Sequence, residues 1–292
     1  MNRQPPPFRP ARALLLLTSP TLLLLPLVGC GTLQEIVDAT PKPSARVAAA
    51  RLADLSLEQA TLNFDLEISN PYSVALPLVN LKYALASDGR EVLAGAAPIS
   101  GSVPAGGAKT VTVPAQIKFA HLLSVLEGVR PGAVIPYAAD LDLSVDAPGV
   151  GPLSLPLTKK GKLPVPTVPV VKLENVAWQR LALDEATALL NIQIENANQF
   201  PVDLSTFDFG LSLAGTRVID TTLRQPASFA AGGAHRLEIP ITIVPRDLGM
   251  AAFRMLTGKG AGYQLGGAMN VDTPYGPISL PVQATGTTLF TH

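Results

Sequence analysis

The sequence predicts a mainly β protein built from two tandem antiparallel β-sandwich domains, each with one short α-helix. One observation is a duplication, because residues 68–78 return in recognisable form 126 positions later as residues 194–204. This register holds without a gap over roughly ninety residues. A second observation is that both copies contain runs of alternating apolar and polar side chains, which is typical of half-buried strands. Solenoid repeats are only about 20–50 residues long, so each copy is a whole domain.

The chain begins with a segment that is typical of an export signal. Arg3, Arg9 and Arg12 precede a mostly apolar stretch at residues 13–27, which threonine, serine and proline interrupt. A basic start followed by a short apolar stretch is the pattern of a secretory signal peptide. Its longest unbroken apolar run is far shorter than the roughly 20 residues of a membrane-spanning helix. We therefore expect residues 1–29 to be a cleaved signal peptide and not a membrane anchor.

The apolar stretch ends in Leu27-Val28-Gly29-Cys30, which resembles the bacterial lipobox, a motif that is cleaved before a lipidated cysteine. Cys30 is the only cysteine of the chain, and a lone thiol in an exported protein would otherwise be unpaired and reactive. We therefore expect a membrane as partner through an acyl anchor on Cys30, in preference to an ordinary buried cysteine. In bacterial lipoproteins an Asp after the lipidated cysteine signals retention on the inner membrane, and this chain has Gly31 at that position. In a diderm host this implies a lipoprotein of the cell envelope that is anchored in the outer membrane and faces the periplasm.

Composition and charge place the rest of the chain among globular proteins. Hydrophobic residues make up 47% of the sequence and charged residues 15%, which is enough apolar material for a core. Removal of the signal peptide takes three arginines and no acid from 22 basic and 22 acidic side chains, leaving a net charge of about −3. This balance offers no electrostatic footprint for nucleic acid. With one cysteine there is no internal disulfide, so burial has to hold each domain together.

Changes in patterning divide the chain into five segments. They are the signal peptide at 1–29, the lipidated cysteine and a flexible tether at 30–46, a first domain at 47–163, a proline-rich linker at 164–169 and a second domain at 170–292. The prolines predict a stiff, extended connector, because proline fixes φ and removes a backbone donor. Lys159, Lys160 and Lys162 lead into this connector and are expected on a solvated face of it, the alternative being contact with anionic lipid headgroups.

Alternation predicts the strands. In the first copy Leu62, Phe64, Leu66 and Ile68 are expected to face inward, and Asn63, Asp65 and Glu67 outward; in the second copy Ala188, Leu190, Ile192 and Ile194 face inward. Further strands are predicted at 78–86, 91–100, 109–119, 135–145 and 153–157, with counterparts in the second copy. The hairpin signal Asp88-Gly89 is matched by Ala214-Gly215. Short strands separated by glycine and proline turns favour a β-sandwich.

One segment of each copy has helical spacing of its apolar residues, at 120–129 and at 247–256. Each is about three turns long, so we expect one short amphipathic helix that packs on each sandwich. Insertion of this helix into a membrane is the alternative.

A shared polar feature of the two copies is an asparagine at the end of a strand. Asn70 precedes Pro71 and Tyr72, and Asn196 lies two residues before Asn198. Asparagine side chains bond the backbone two residues further on, so both residues are expected to hold a turn. The alternative is that these residues form a polar rim for a partner.

The sequence contains no pattern typical of an enzyme or a cofactor site. His121 and His235 are not shared between the copies, and no His, Asp and Glu set has the spacing of a metal site. Neither a nucleophile elbow nor a phosphate loop is present. The single tryptophan, Trp178, is expected to be a packing residue near the seam between the domains, an exposed ligand platform being the alternative. We therefore expect no catalysis, no cofactor and no metal.

The order of these features resembles the water stress and hypersensitive response (WHy) domain, also called the type 2 late embryogenesis abundant or LEA14-like domain. The resemblance rests on the Asn70-Pro71-Tyr72 turn, a Pro-x-Gly-Gly turn, one helix and a closing strand Gly-Pro-Leu/Ile-Ser-Leu-Pro, and covers about 47–163 and 170–290. The second copy has Ala197 in place of the proline. The resemblance implies fibronectin type III-like sandwiches, an association with dehydration, cold and defence, and no catalytic residues.

Together these features predict a non-catalytic envelope lipoprotein that acts as a stress-protective or binding module. Its partners would be the membrane and weakly bound client proteins. Two alternatives remain open: a carrier of an apolar ligand or lipid in the periplasm, and a scaffold in an envelope protein complex.

Overall fold

A computed structural model of the protein describes residues 41–182, 184–248, 257 and 260–291. The first domain consists of two antiparallel sheets. Its strands are β1 (Ser44–Leu55), β2 (Gln59–Ser69), β3 (Leu76–Ser87), β4 (Arg90–Pro98), β5 (Ser102–Val103), β6 (Ala108–Lys118), β7 (Val134–Ala147) and β8 (Gly151–Pro164). One sheet has the order β1-β2-β6, and the other has the order β4-β3-β7-β8 with β5 beside β3.

The second domain repeats this arrangement. Its strands are β9 (Val170–Leu181), β10 (Ala186–Glu195), β11 (Val202–Leu213), β12 (Thr216–Leu223), β13 (Ala227–Phe229), β14 (Ala234–Ile243), β15 (Ala261–Thr273) and β16 (Gly276–Thr291). The long strand β16 pairs with β15 and, at Leu289, Phe290 and Thr291, also runs parallel to β9. The two sheets of this domain are therefore joined in the order β12-β11-β15-β16-β9-β10-β14. The predicted mainly β fold with two tandem domains is confirmed.

Each domain has its own core, formed by the inward side chains that alternation predicts. Phe64, Leu66 and Ile68 of β2 are buried in the first core, and Leu190 and Ile192 of β10 in the second. Asp65 lies on the outer face of β2 as predicted, but its side chain is buried there. The Arg51 guanidinium pairs with its carboxylate, and the Thr112 hydroxyl donates to it over 2.7 Å.

Both predicted hairpins are present. Asp88 and Gly89 have positive φ angles of 48° and 76°, and Ala214 and Gly215 have 49° and 81°. Two successive left-handed residues form the type I′ turn, whose twist matches that of the flanking strands.

The duplication extends to the irregularities of the strands. In the pairing registers, four residues of the first domain are skipped as bulges, and each has a skipped counterpart 126 positions later. The pairs are Ala48 and Glu174, Ala53 and Gln179, Val79 and Ser205, and Val92 and Val218. Two of the four pairs lie in β1 and β9, and a bulge interrupts the alternation of faces. This explains why alternation does not predict β1 or β9.

The helix of the first domain, α1 (Phe119–Val125), is shorter than the predicted 120–129. It ends because Leu126 is extended and Gly128 has a φ of +81°. Leu122 and Leu126 are buried in the core, so the helix packs on its own sandwich as expected. Most of the second predicted helix, 247–256, lies outside the described residues; Pro245–Leu248 forms a 3-10 turn.

Two segment boundaries differ from the sequence expectation. Strand β1 begins at Ser44, inside the predicted tether, and Pro43 before it is buried. Strand β8 continues through Lys159, Lys160 and Lys162, which pair with β7, so these lysines belong to a sheet and not to a connector. All described core residues and those packed on them lie between Ala45 and Phe290.

Candidate functional site

The side chain of Asn70 ties together two loops at one end of the first domain. Its amide Nδ2 donates to the carbonyl oxygens of Val74 at 2.8 Å, Val103 at 3.1 Å and Pro104 at 3.0 Å. Its Oδ1 accepts from the backbone N–H of Tyr72 over 3.0 Å. The residue is 1% exposed, so its side-chain amide is directed to partners inside the protein.

Asn196 repeats this network in the second domain. Its Nδ2 donates to the carbonyls of Phe200 at 2.8 Å and Ala230 at 3.0 Å, and more weakly to Phe229 at 3.5 Å. Its Oδ1 accepts from the Asn198 N–H over 3.0 Å. The turn geometry therefore does not need the proline, since Ala197 stands in its place.

The buried amides leave other atoms of the first turn exposed. Asn70, Asn196 and Asn198 are each at most 2% exposed, while Pro71 is exposed and Tyr72 half-buried. The surface that the first turn offers to a partner is thus made by Pro71 and its neighbours, and not by the asparagine side chains.

In the second domain the same turn forms a junction with the first domain and the linker. The Thr167 N–H donates to Asn198 Oδ1 over 2.8 Å, and Asn198 Nδ2 donates to the Thr167 carbonyl over 3.2 Å. The Gln199 N–H donates to the Gly132 carbonyl over 2.7 Å, and Gln199 Oε1 accepts from the Val134 N–H over 3.1 Å. Asn198 thereby binds the linker, and Gln199 binds the opposite end of the first domain.

Apolar contacts reinforce this junction. Leu55, Leu57 and Val134 of the first domain pack against the core of the second. In the linker, Pro164, Val165 and Pro166 are buried. The linker is therefore largely enclosed, and the apolar composition of residues 163–168 is the sequence signal of this burial. The sequence carries no such signal for the junction contact between Gly132 and Gln199. Gly132 has a glycine at the equivalent position of the second copy, Gly258, so it does not stand out, and Gln199 is an ordinary turn residue.

An open groove of about 530 Å³ lies on the outer face of the larger sheet of the first domain. Ala84, Ala94 and Ala96 form its floor, and Lys82 and Asp140 stand beside it. The corresponding face of the second domain is more polar, with Arg217, Gln264 and Gln283 around a smaller groove of about 370 Å³.

The described residues contain no group of three or more His, Cys, Asp or Glu side chains that would hold a metal ion. His121 is exposed on α1, and His235 lies edge-on to Phe229. Trp178 is 7% exposed and stacks on Phe290 at a centroid distance of 6.1 Å, so it is a core residue of the second domain and not an exposed ligand platform.

The lipidation motif lies outside the described residues. Its residues are Leu27, Val28, Gly29 and Cys30. His292, at the other end of the chain, is also outside the described residues. Within the part of the chain that the structure describes, no helix has the length and apolar character needed to cross a membrane.

Comparison with known proteins identifies relatives of both domains. A family model described as late embryogenesis abundant protein matches residues 65–161 and 191–286. A desiccation protectant protein Lea14 homolog of Glycine max is 33% identical over 134 residues, covering 46% of this chain and 88% of the relative. Late embryogenesis abundant protein Lea14-A of Gossypium hirsutum is 32% identical over 44% of this chain and 84% of its own. Desiccation-related protein PCC27-45 of Craterostigma plantagineum is 35% identical, covering 45% of this chain and 87% of the relative.

Among solved structures, that of a putative late embryogenesis abundant protein is 25% identical over 47% of this chain and 79% of its own, with a TM-score of 0.39. Each relative above matches about the length of one domain, and the family model matches twice. The chain therefore belongs to the type 2 late embryogenesis abundant (LEA_2) family and carries two tandem copies of its domain.

Proposed function

We propose that this protein is a non-catalytic, lipid-anchored protein of the cell envelope whose two LEA domains protect neighbouring proteins or membrane during water loss. The observation that carries this proposal is that both halves match the family model, and that relatives matching one domain length are named as desiccation protectant or desiccation-related proteins. The protective action would consist of weak surface contacts from a folded module that the tether keeps close to the membrane.

Such a module must itself resist aggregation when drying concentrates it. The edge strands β6 and β14 each have a central proline, Pro114 and Pro240, opposite Asn63 and Leu189. Proline removes a backbone donor from the free edge and hinders the addition of a strand from another molecule. These guarded edges support a role at high local protein concentration.

The protective function is tested by drying and by freeze–thaw of a labile enzyme together with the unlipidated form, residues 31–292. An equal mass of an unrelated globular protein is the control. We expect the enzyme to retain more activity with residues 31–292 than with the control protein. Equal retention in both mixtures would refute the protective function.

The anchor is tested separately in a diderm host. We expect the mature protein to fractionate with the outer membrane and its N-terminal peptide to have the mass of acylated Cys30. Cys30→Ser should release the protein from the membrane fraction. An unmodified Cys30 peptide would contradict the anchor without affecting the drying assay.

The groove on the first domain favours a second candidate function, transport of an apolar ligand. Its alanine floor and volume of about 530 Å³ are of a size that accommodates a small ligand. Native mass spectrometry of residues 31–292 should then detect a co-purified lipid that Ala84→Lys removes. A spectrum of the ligand-free mass alone would eliminate this candidate.

A further inference from the structure

Three loops meet at the end of the first domain that lies away from the junction. They are residues 70–75, 104–107 and 148–150, and we call them the first-domain tip. Strand pairing places them together, since Leu76 pairs with Val103, Leu78 with Val145, and Ala147 with Gly151.

The first-domain tip is apolar and contains no charged residue. Val74 is 49% exposed and Val150 is 59% exposed, which places both among the most exposed large hydrophobic residues that the structure describes. The other exposed residues of the tip are small or are prolines, and one of them is polar: Pro71, Ser73, Ala75, Pro104, Ala105, Gly106, Pro148 and Gly149. Single exposed apolar residues are ordinary, but a cluster on adjacent loops indicates a contact surface.

In the second domain the side chains at the positions equivalent to Val74 and Val150 pack against each other. Phe200 and Tyr275 occupy the places of Val74 and Val150, and their rings pack edge to face at a centroid distance of 5.4 Å. Phe200 is only 3% exposed. The exposed apolar pair is thus specific to the first domain and is not a property of the repeated unit.

Several backbone groups of the first-domain tip are hydrogen-bonded within the protein. Asn70 supplies donors to the carbonyls of Val74 and Pro104, and the Gly106 N–H donates to the Tyr72 carbonyl over 2.8 Å. The Val150 N–H donates to the Ala147 carbonyl over 3.1 Å. Loops with satisfied polar groups lose little when they leave water, which is the requirement for entering a lipid environment.

The chain enters the domain at this same end. Ser44, the first residue of β1, pairs with Ser69, the last residue of β2. Thirteen residues separate Cys30 from Ser44, and such a segment spans at most about 45 Å when fully extended. An acyl group on Cys30 would therefore keep the first-domain tip close to the bilayer.

We propose that the first-domain tip docks on the lipid bilayer surface, with Val74 and Val150 at the boundary between headgroups and acyl chains. The anchoring at Cys30 is part of the proposed function, on which this inference rests. A protein partner fits the tip less well, because stable protein interfaces bury about 800 Å² per partner, far more than two valines and a few small residues provide. A surface without charge is also compatible with both zwitterionic and anionic headgroups.

The test uses residues 30–292, which keep every described residue, coupled through the Cys30 thiol to a maleimide lipid in phosphatidylcholine vesicles. Val74→Trp adds a reporter at the tip, and lipids brominated in their acyl chains quench tryptophan emission at the boundary. Leu289→Trp is the matched control, because Leu289 is 61% exposed but lies in the second domain. The native Trp178 is buried in that domain and gives the background.

We expect the brominated lipids to quench a fraction of the tryptophan emission of Val74→Trp that is at least about 2-fold larger than in the unsubstituted protein. In Leu289→Trp the quenched fraction should equal that of the unsubstituted protein. A second reporter, Ala105→Trp, should be quenched alone and lose its quenching when combined with Val74→Asp and Val150→Asp. All of these substitutions are at exposed positions, and circular dichroism verifies the fold. Equal quenching of Val74→Trp and Leu289→Trp would overturn the proposal.

A dimer of residues 31–292 in sedimentation velocity that Val74→Asp dissociates would also overturn it, since the tip would then be occupied by a second copy. Chemical coupling replaces lipidation in these vesicles. The quenching result therefore does not depend on whether Cys30 is acylated in the cell, and the drying assay, which contains no membrane, does not depend on the tip.

Discussion

Asn198 holds Thr167 with both ends of its side-chain amide, accepting from the Thr167 N–H over 2.8 Å and donating to the Thr167 carbonyl over 3.2 Å. The same position in the first domain is Tyr72. The two copies therefore differ at this turn position, and the asparagine of the second copy binds the linker. The first copy of the turn remains available for another contact.

Asn198→Ala should weaken the junction. The change removes two hydrogen bonds to the backbone of the half-buried Thr167, and the loss of two such bonds costs about 1–3 kcal/mol. We expect a lower melting temperature in calorimetry and faster proteolysis within residues 164–169. Asn270→Ala is the control, since Asn270 donates to the Thr206 hydroxyl in a solvent-exposed bond and should change stability by less than about 0.5 kcal/mol. Equal effects of the two variants would contradict this role of Asn198.

Gly132→Ala should also open the junction. Gly132 has a φ of +94°, and a Cβ there would collide with the Ala197 carbonyl of the second domain. Gly128→Ala is the matched control, because its φ is +81° but no atom lies within 4 Å of the added carbon. Both variants bear the roughly 1–2 kcal/mol cost of a left-handed alanine. Only Gly132→Ala should show separate melting transitions for the two domains.

Asn70→Asp should make stability depend on pH. The amide that donates to three carbonyls would become a carboxylate that repels them, so the folded-state pKa of this carboxyl would be raised. A raised folded pKa means that stability is highest at acidic pH and is lost as the pH rises through that value. Urea unfolding between pH 4 and 8 measures this slope. Asn70→Ala supplies the pH-independent reference, and parallel profiles of the two variants would refute the assignment of donors.

Gly161→Ala should destabilise the first domain through a specific contact. Gly161 lies directly opposite Tyr137, and a Cβ would come within 2.5 Å of the Tyr137 hydroxyl oxygen. Tyr263 covers Gly286 in the same way in the second domain. Overpacking of this kind costs about 1–3 kcal/mol. Chemical denaturation should show this loss for Gly161→Ala but no loss for Gly266→Ala, where nothing lies within 4 Å.

Tyr137 should ionise later than an exposed tyrosine. Burial raises the pKa of its phenol above the ordinary value of 10.0. Because the folded pKa is the higher one, this contribution to stability is complete below about pH 10 and disappears as the pH rises through the folded value. A spectrophotometric titration should resolve a late-titrating phenol that is missing from Tyr137→Phe. An unchanged titration curve in the variant would contradict the burial of Tyr137.

Local pattern was sufficient for most of the fold. The alternation in β2 and β10, the hairpin at Asp88-Gly89 and the placement of α1 all depend on neighbours within a few positions of the chain, where sequence and geometry are directly linked. Prediction did not extend to β1 and β9, because their bulges break the alternation. It ended α1 too late, because the apolar spacing continues into residues whose backbone is no longer helical.

The sequence by itself determined the duplication, the sandwich class, the asparagine turns and the family. Each of these is written in residue order, as a repeat of 126 positions or as a period of two. Only the tertiary structure decided that Asp65 lies beneath Arg51, and that the second turn binds the first domain while the first turn stays exposed. These features depend on atoms that are distant in sequence and adjacent in space, so no local pattern encodes them.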